Sequence, residues 1–116
     1  MRTVTLGVAT QEEIKQSVLA AFDGIYQGEF ITFDSPALLF KIISGKRWDL
    51  IQEMTGAGPL SIREVARRLG RDVKAVHTDV HKLLKTGILE KTESGKIEFP
   101  YDEIHVDFVV KSVNAA

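Results

Sequence analysis

The chain contains no cysteine in its 116 residues. That excludes disulfides, thiolate metal sites and thiol redox chemistry, and it suits a reducing cytoplasm, the expected location. No apolar run is long enough to span a bilayer, and the first residues lack an apolar signal segment, so no membrane partner is expected. No internal repeat, low-complexity segment or long linker interrupts the chain. Net charge is almost absent too, at −1, so overall charge points to no polyanionic partner.

What is present is an ordinary globular composition, 44% apolar and 27% charged, with enough apolar material for a core at this length. The charge is unevenly placed. Lys46 to Lys96 holds 11 Lys/Arg against 7 Asp/Glu, whereas the rest holds 4 against 9. A basic stretch set in an acidic remainder is what a localised electrostatic footprint requires.

Periodicity gives the elements. Thr3–Val8 alternates and reads as a strand. Thr10 to Glu13 has capping-box spacing, and Ile14, Val18, Leu19 and Phe22 continue a helix over 11–23. Residues 28–33 read as a second strand. Ser35-Pro36 starts a short helix carrying Leu38, Leu39, Ile42 and Ile43. A further helix from Lys46 turns Trp48, Ile51 and Met54 inward and stops at Thr55-Gly56. After Gly58-Pro59-Leu60, Ser61 to Glu64 is a second capping box, opening a helix with Val65, Ala66 and Leu69 that Gly70 closes. Asp72 caps the next helix, with Val73, Val76, Val80, Leu83 and Leu84 on one stripe up to Gly87. Residues 88–92 and 96–99 read as a hairpin around Glu93-Ser94-Gly95. Residues 104–110 form a last strand.

A short helix, a glycine-containing turn, a longer helix and a hairpin are the order of a winged helix-turn-helix. Such a fold presents one exposed helix, braced from behind, to the DNA major groove, which is about as wide as a helix with its side chains. At about 100° per residue, the face opposite the apolar stripe of helix 72–86 carries Arg71, Lys74, Ala75, Thr78, His81, Lys82 and Lys85, and no acid. Lys74, Ala75, Thr78 and Lys82 are expected toward the bases, with His81 on the same face. Arg63, Arg67, Arg68, Arg71, Lys85, Lys91 and Lys96 are expected on phosphates, and Ser94 on the backbone from the wing.

These stretches also resemble a known group. Lys46-Arg47-Trp48-Asp49-Leu50, the run GPLSIREVARRLGRDVKAVHTDVHKLLKTGILEKTESGKIEFP, the ending Tyr101 to Phe108 and Ile31-Thr32-Phe33-Asp34-Ser35 are similar to small prokaryotic winged-helix transcriptional regulators. Those proteins are MarR-like in the helix-turn-helix but lack long dimerisation helices. The resemblance spans nearly the whole chain and implies DNA binding and transcription regulation, in relatives that often look like the DNA-binding partner of a small toxin.

Other chemistries find less support. His77 and His81 sit at i and i+4, with His105 a distant third nitrogen, but no thiolate or suitably spaced carboxylate accompanies them, so no metal is assigned. No nucleophile signature surrounds a serine, and the scattered glycines make no phosphate loop, so neither enzymatic activity nor a cofactor is expected.

The expected architecture is α+β: a strand-helix-strand-helix arm over 1–44, a winged helix-turn-helix over 45–100 and a C-terminal strand over 101–116 packing with the arm. The strands of the arm and C-terminus are expected to form one sheet that packs on helix 11–23 and builds a homodimer. The expected function is sequence-specific double-stranded DNA binding in transcription regulation. The alternative is an antitoxin-like module that neutralises a small toxin-like protein and represses its own promoter.

Overall fold

The computed structural model describes residues 1–8, 29–43, 45–110 and 112. The helix expected over 11–23, with its capping box, lies outside the described residues. In chain order the elements are β1 (Thr3–Val8), β2 (Glu29–Phe33), α1 (Pro36–Ile42), α2 (Lys46–Met54), α3 (Ile62–Leu69), α4 (Val73–Lys85), β3 (Glu90–Lys91), β4 (Ile97–Glu98) and β5 (Glu103–Asp107). The class is α+β: among the described residues, four helices, a three-stranded parallel sheet and a two-stranded antiparallel one.

The larger sheet has the order β2-β1-β5, with both neighbours parallel to β1. Parallel strands cannot be joined by a hairpin. Everything from α1 to β4 is therefore an excursion between β2 and β5, which brings the C-terminal strand back beside the N-terminal one. Alternation decides the faces. Val4 and Leu6 of β1 are fully buried. Ile31 of β2 and Val106 of β5 stand in register with Leu6, and Ile104 with Val4. This face joins Leu39, Ile43, Leu50, Ile51 and Met54 in one apolar cluster that continues through Val65, Val76, Val80 and Leu83 to Phe99.

The helices form where local chemistry satisfies their ends. Ser35 accepts from the Leu38 N–H, Ser61 from the Glu64 N–H and Asp72 from the Ala75 N–H, each supplying an acceptor to a first-turn donor that has none within its helix. Gly70 closes α3 in the left-handed region, at φ 62°. Gly45, before α2, has φ 59° and ψ −127°, a combination that only glycine adopts at low cost. α2 packs on α3, and α3 on α4.

Three expectations need correction. The hairpin ladder is two residues per strand, not four or five. Ile88 and Leu89 are buried, and both donate to the Leu83 carbonyl, so they plug the core instead of pairing. A bridge between Leu60 and Ile97 adds a third piece to the ladder. The last strand stops at Asp107, opposite Gly7, because β1 has almost run out. Val73 is 43% exposed and leaves the apolar stripe to Val76, Val80 and Leu83, with Leu84 half-buried.

Candidate nucleic-acid interface

The exposed side of α4 is built by its own periodicity. With Val76, Val80 and Leu83 buried, Lys74, Ala75, Thr78, His81, Lys82 and Lys85 all stand exposed, as does His77. Five of these carry basic side chains, and none is an acid. The Thr78 hydroxyl donates to the Lys74 carbonyl at 3.1 Å, leaving its oxygen free to accept. The His77 and His81 rings meet with their Nε2 atoms 3.0 Å apart, one donating to the other.

Asp79, the one acid within α4, is turned away from that face. Its side chain is 14% exposed. One carboxylate oxygen accepts from Arg71 Nη2 at 2.8 Å, and the other from Arg47 Nη1 at 3.5 Å. Arg47 reaches onward: its Nε donates to the Ile42 carbonyl at 2.6 Å and its Nη2 to the Lys41 carbonyl at 2.7 Å. It thereby satisfies the carbonyl end of α1, where a cation also suits the helix dipole. Asp79 and Arg47 together tie α4 to α1.

Arg71 was expected at a phosphate. Its side chain is only 15% exposed and is paired with Asp79, so in the free protein it braces the base of α4. The residues that sequence reasoning missed are Arg47 and Asp79. The first is 32 positions from Asp79, a separation at which no local pattern signals contact.

On α3, Arg63 is exposed. Arg67 and Arg68 share Glu64: Arg67 makes a two-pronged contact with its carboxylate, and Arg68 donates from Nε at 3.2 Å. Hydrogen bonds from Arg67 first, and then from Arg68, hold the Glu64 carboxyl at about 2, below the usual glutamate range. Ser61 and Glu64 therefore make only half of the expected capping box. Ser61 caps the Glu64 N–H, while the Glu64 carboxylate is committed to the two arginines.

Lys91, Ser94 and Lys96 are exposed around the β3–β4 turn. The turn is closed by the Thr92 N–H on the Lys96 carbonyl at 2.8 Å, and by the Thr92 and Ser94 hydroxyls at 2.9 Å. The assembled surface is cationic on α4 and on α3, while the hairpin interleaves Lys91 and Lys96 with the exposed Glu90 and Glu93. It can neutralise a polyanion. Among the described residues no three His, Asp or Glu side chains converge as a metal site requires.

Fold and site together define a small α+β protein with a braced, acid-free cationic helix face. The chain belongs to the family described as HVO_A0114, which matches residues 42–106, from the end of α1 into β5. That description names no activity. No curated protein matches the chain.

Proposed function

We propose that this protein is a sequence-specific double-stranded DNA-binding transcription regulator of the winged helix-turn-helix type, working as a dimer. α4 enters the major groove, α3 braces it and the β3–β4 hairpin is the wing. One observation carries this reading: the only acid in α4 is withdrawn into an ion pair with Arg71 and Arg47, and Lys74, Thr78, His81, Lys82 and Lys85 remain outside. A helix needs no such sorting for stability, since mixed charges on its outer face serve equally well. A phosphate-lined groove does reward it, by releasing condensed counterions. The bridge from Leu60 to β4 supports the reading as well, because it anchors the hairpin beside the start of α3.

In this arrangement Lys74, Ala75, Thr78 and Lys82 face the bases. Arg63, Arg67, Arg68, Lys85, Lys91 and Lys96 take phosphates, and Ser94 the backbone. Arg71 holds the reading helix in place through Asp79.

A selection from random duplex DNA supplies the ligand, and fluorescence anisotropy over a salt series supplies the test. Replacing Lys74 and Lys82 together by Ala should weaken binding and relax the selected base preference, whereas replacing Lys85 and Lys91 together should weaken all duplexes alike and flatten the slope of log affinity against log salt by about 2, at about 0.9 per lost phosphate contact. Unchanged affinity removes α4 from the interface. Failure to enrich any duplex refutes sequence-specific binding.

A further inference from the structure

β5 ends the parallel sheet. β1 pairs with it on one side, and among the described residues no strand lies on the other. Such an edge offers its outward N–H and C=O groups to any strand that can reach them, and proteins commonly guard it with lysine or proline. Glu103–Asp107 contains neither. The flank of this edge is apolar. Val106 is 45% and Phe40 53% exposed. Phe40 meets Phe108 edge-on, with ring centroids 5.6 Å apart. A hollow of about 280 Å³ opens between Phe40 and Val106, lined also by Leu6, Leu39, Ile43 and Trp48.

We propose that β5 is a dimerisation edge, at which a second copy of this chain adds its own β5 antiparallel to form one continuous six-stranded sheet. This deepens the proposed function by giving its dimer an interface. The occupant is a second copy because the strand is complementary to itself when paired about Val106. With Val106 opposite Val106 on the two-fold axis, Ile104 falls opposite Phe108 of the partner subunit on the apolar face. On the other face His105, with a ring N–H to donate, falls opposite the accepting carboxylate of Asp107 of the partner subunit. The adjacent register, with His105 on the axis, sets Glu103 against the partner's Asp107. Like charges directly opposite destabilise a strand pair, so the sequence selects the first register.

The experiment is sedimentation equilibrium of the full chain without DNA at roughly tens of micromolar, a range in which a specific edge-and-apolar interface should hold. The native chain should be a dimer, and Val106→Lys, which sets two cations on the axis, a monomer with unchanged circular dichroism. His105→Asp places two acids opposite each other at both symmetric positions and should weaken the dimer about tenfold. Adding Asp107→His in the same chain exchanges the pair and should restore it, which repair of a folding defect would not do. A monomeric native chain, or a dimer indifferent to Val106→Lys, overturns the proposal. A double variant as weak as His105→Asp overturns the self-complementary register and with it the argument for a second copy. Because no DNA is present, the result is separate from that of Lys74 and Lys82, whose double variant should remain dimeric.

Discussion

Asp79→Asn keeps the shape of the side chain and removes its charge. Asp79 is 14% exposed, and its partners Arg71 and Arg47 are 15% and 23% exposed. Removing one partner from a fully buried pair costs about 3–5 kcal/mol, because the survivor is left charged and unpaired. An exposed pair is worth about 0–1 kcal/mol. The two arginines differ in what they retain. Arg47 keeps the Ile42 and Lys41 carbonyls. Arg71 keeps little, since its Nη1 is buried without a hydrogen-bond partner even with Asp79 in place. The loss should therefore fall between the limits, at about 2–3 kcal/mol, and should come mainly through Arg71. For a chain of this size that lowers Tm by about 10 °C. Thermal and urea melts of Asp79→Asn, Arg71→Met and the double variant measure it. The double variant should recover most of the loss, because it removes the stranded cation along with its partner. A Tm within about 2 °C of native for Asp79→Asn, or additive single losses in the cycle, would refute the view that Asp79 is the hub of this joint.

Substitutions at Glu64 and at two glycines have equally definite expected outcomes. Glu64→Gln releases Arg67 and Arg68 from their shared acid, so duplex affinity at low salt should rise by about three- to tenfold and the gain should fade at high salt; binding isotherms for both proteins at two salt concentrations check this, and lower affinity would contradict it. The same substitution tests the titration of Glu64, held at about 2 against an ordinary 4.5: a depressed folded-state value stabilises above the unfolded value and is lost as pH falls through the folded one, so the native advantage over Glu64→Gln in urea melts should be present near neutrality and shrink as pH falls from 4.5 toward 2. Gly45→Ala should cost about 1–3 kcal/mol and Gly70→Ala about 1, both from the backbone alone, since a Cβ at either position meets nothing within 4 Å; comparable urea midpoints for native and Gly45→Ala would show that the turn before α2 relaxes.

The parts of this structure legible from sequence are those fixed by neighbours in the chain. Ser61, Gly70 and Asp72 mark helix ends through contacts three to five residues away, and α3 and α4 fall where those residues place them. β1 shows because its alternation is strict and its inner face is buried. The failures have the opposite character. Ile88 and Leu89 carry strand-type side chains for burial, and their N–H groups go to Leu83, which composition cannot reveal. Phe108 to Val110 continue an apolar pattern beyond the point where β1 can pair with it. The angle of Val73 places it on the apolar stripe, but periodicity does not say how far along that stripe the packing neighbours extend. The acid-free face of α4 was legible, because an angle per residue suffices. How Asp79 leaves that face was not, because Arg71 lies across a helix boundary and Arg47 on another helix.

That last contact links the two proposals mechanically. α1 packs against β2 in the sheet that β5 terminates. The carbonyl end of α1 is gripped by Arg47, and Arg47 is held by Asp79 of α4. A second copy joined at β5 would then hold its α4 at a distance set by two sheets and two such joints. Dimers of helix-turn-helix proteins read half-sites about one helical turn apart, and that spacing is a rigid-body property. Asp79→Asn should consequently blur the preference for half-site spacing more than it weakens binding to a single half-site. Lys74→Ala, which leaves the joint intact, should do the reverse. Anisotropy titrations on duplexes carrying one selected half-site, or two at stepped separations, distinguish the outcomes. A spacing preference as sharp in Asp79→Asn as in the native protein would mean that the sheet and α4 are coupled by some route other than Arg47.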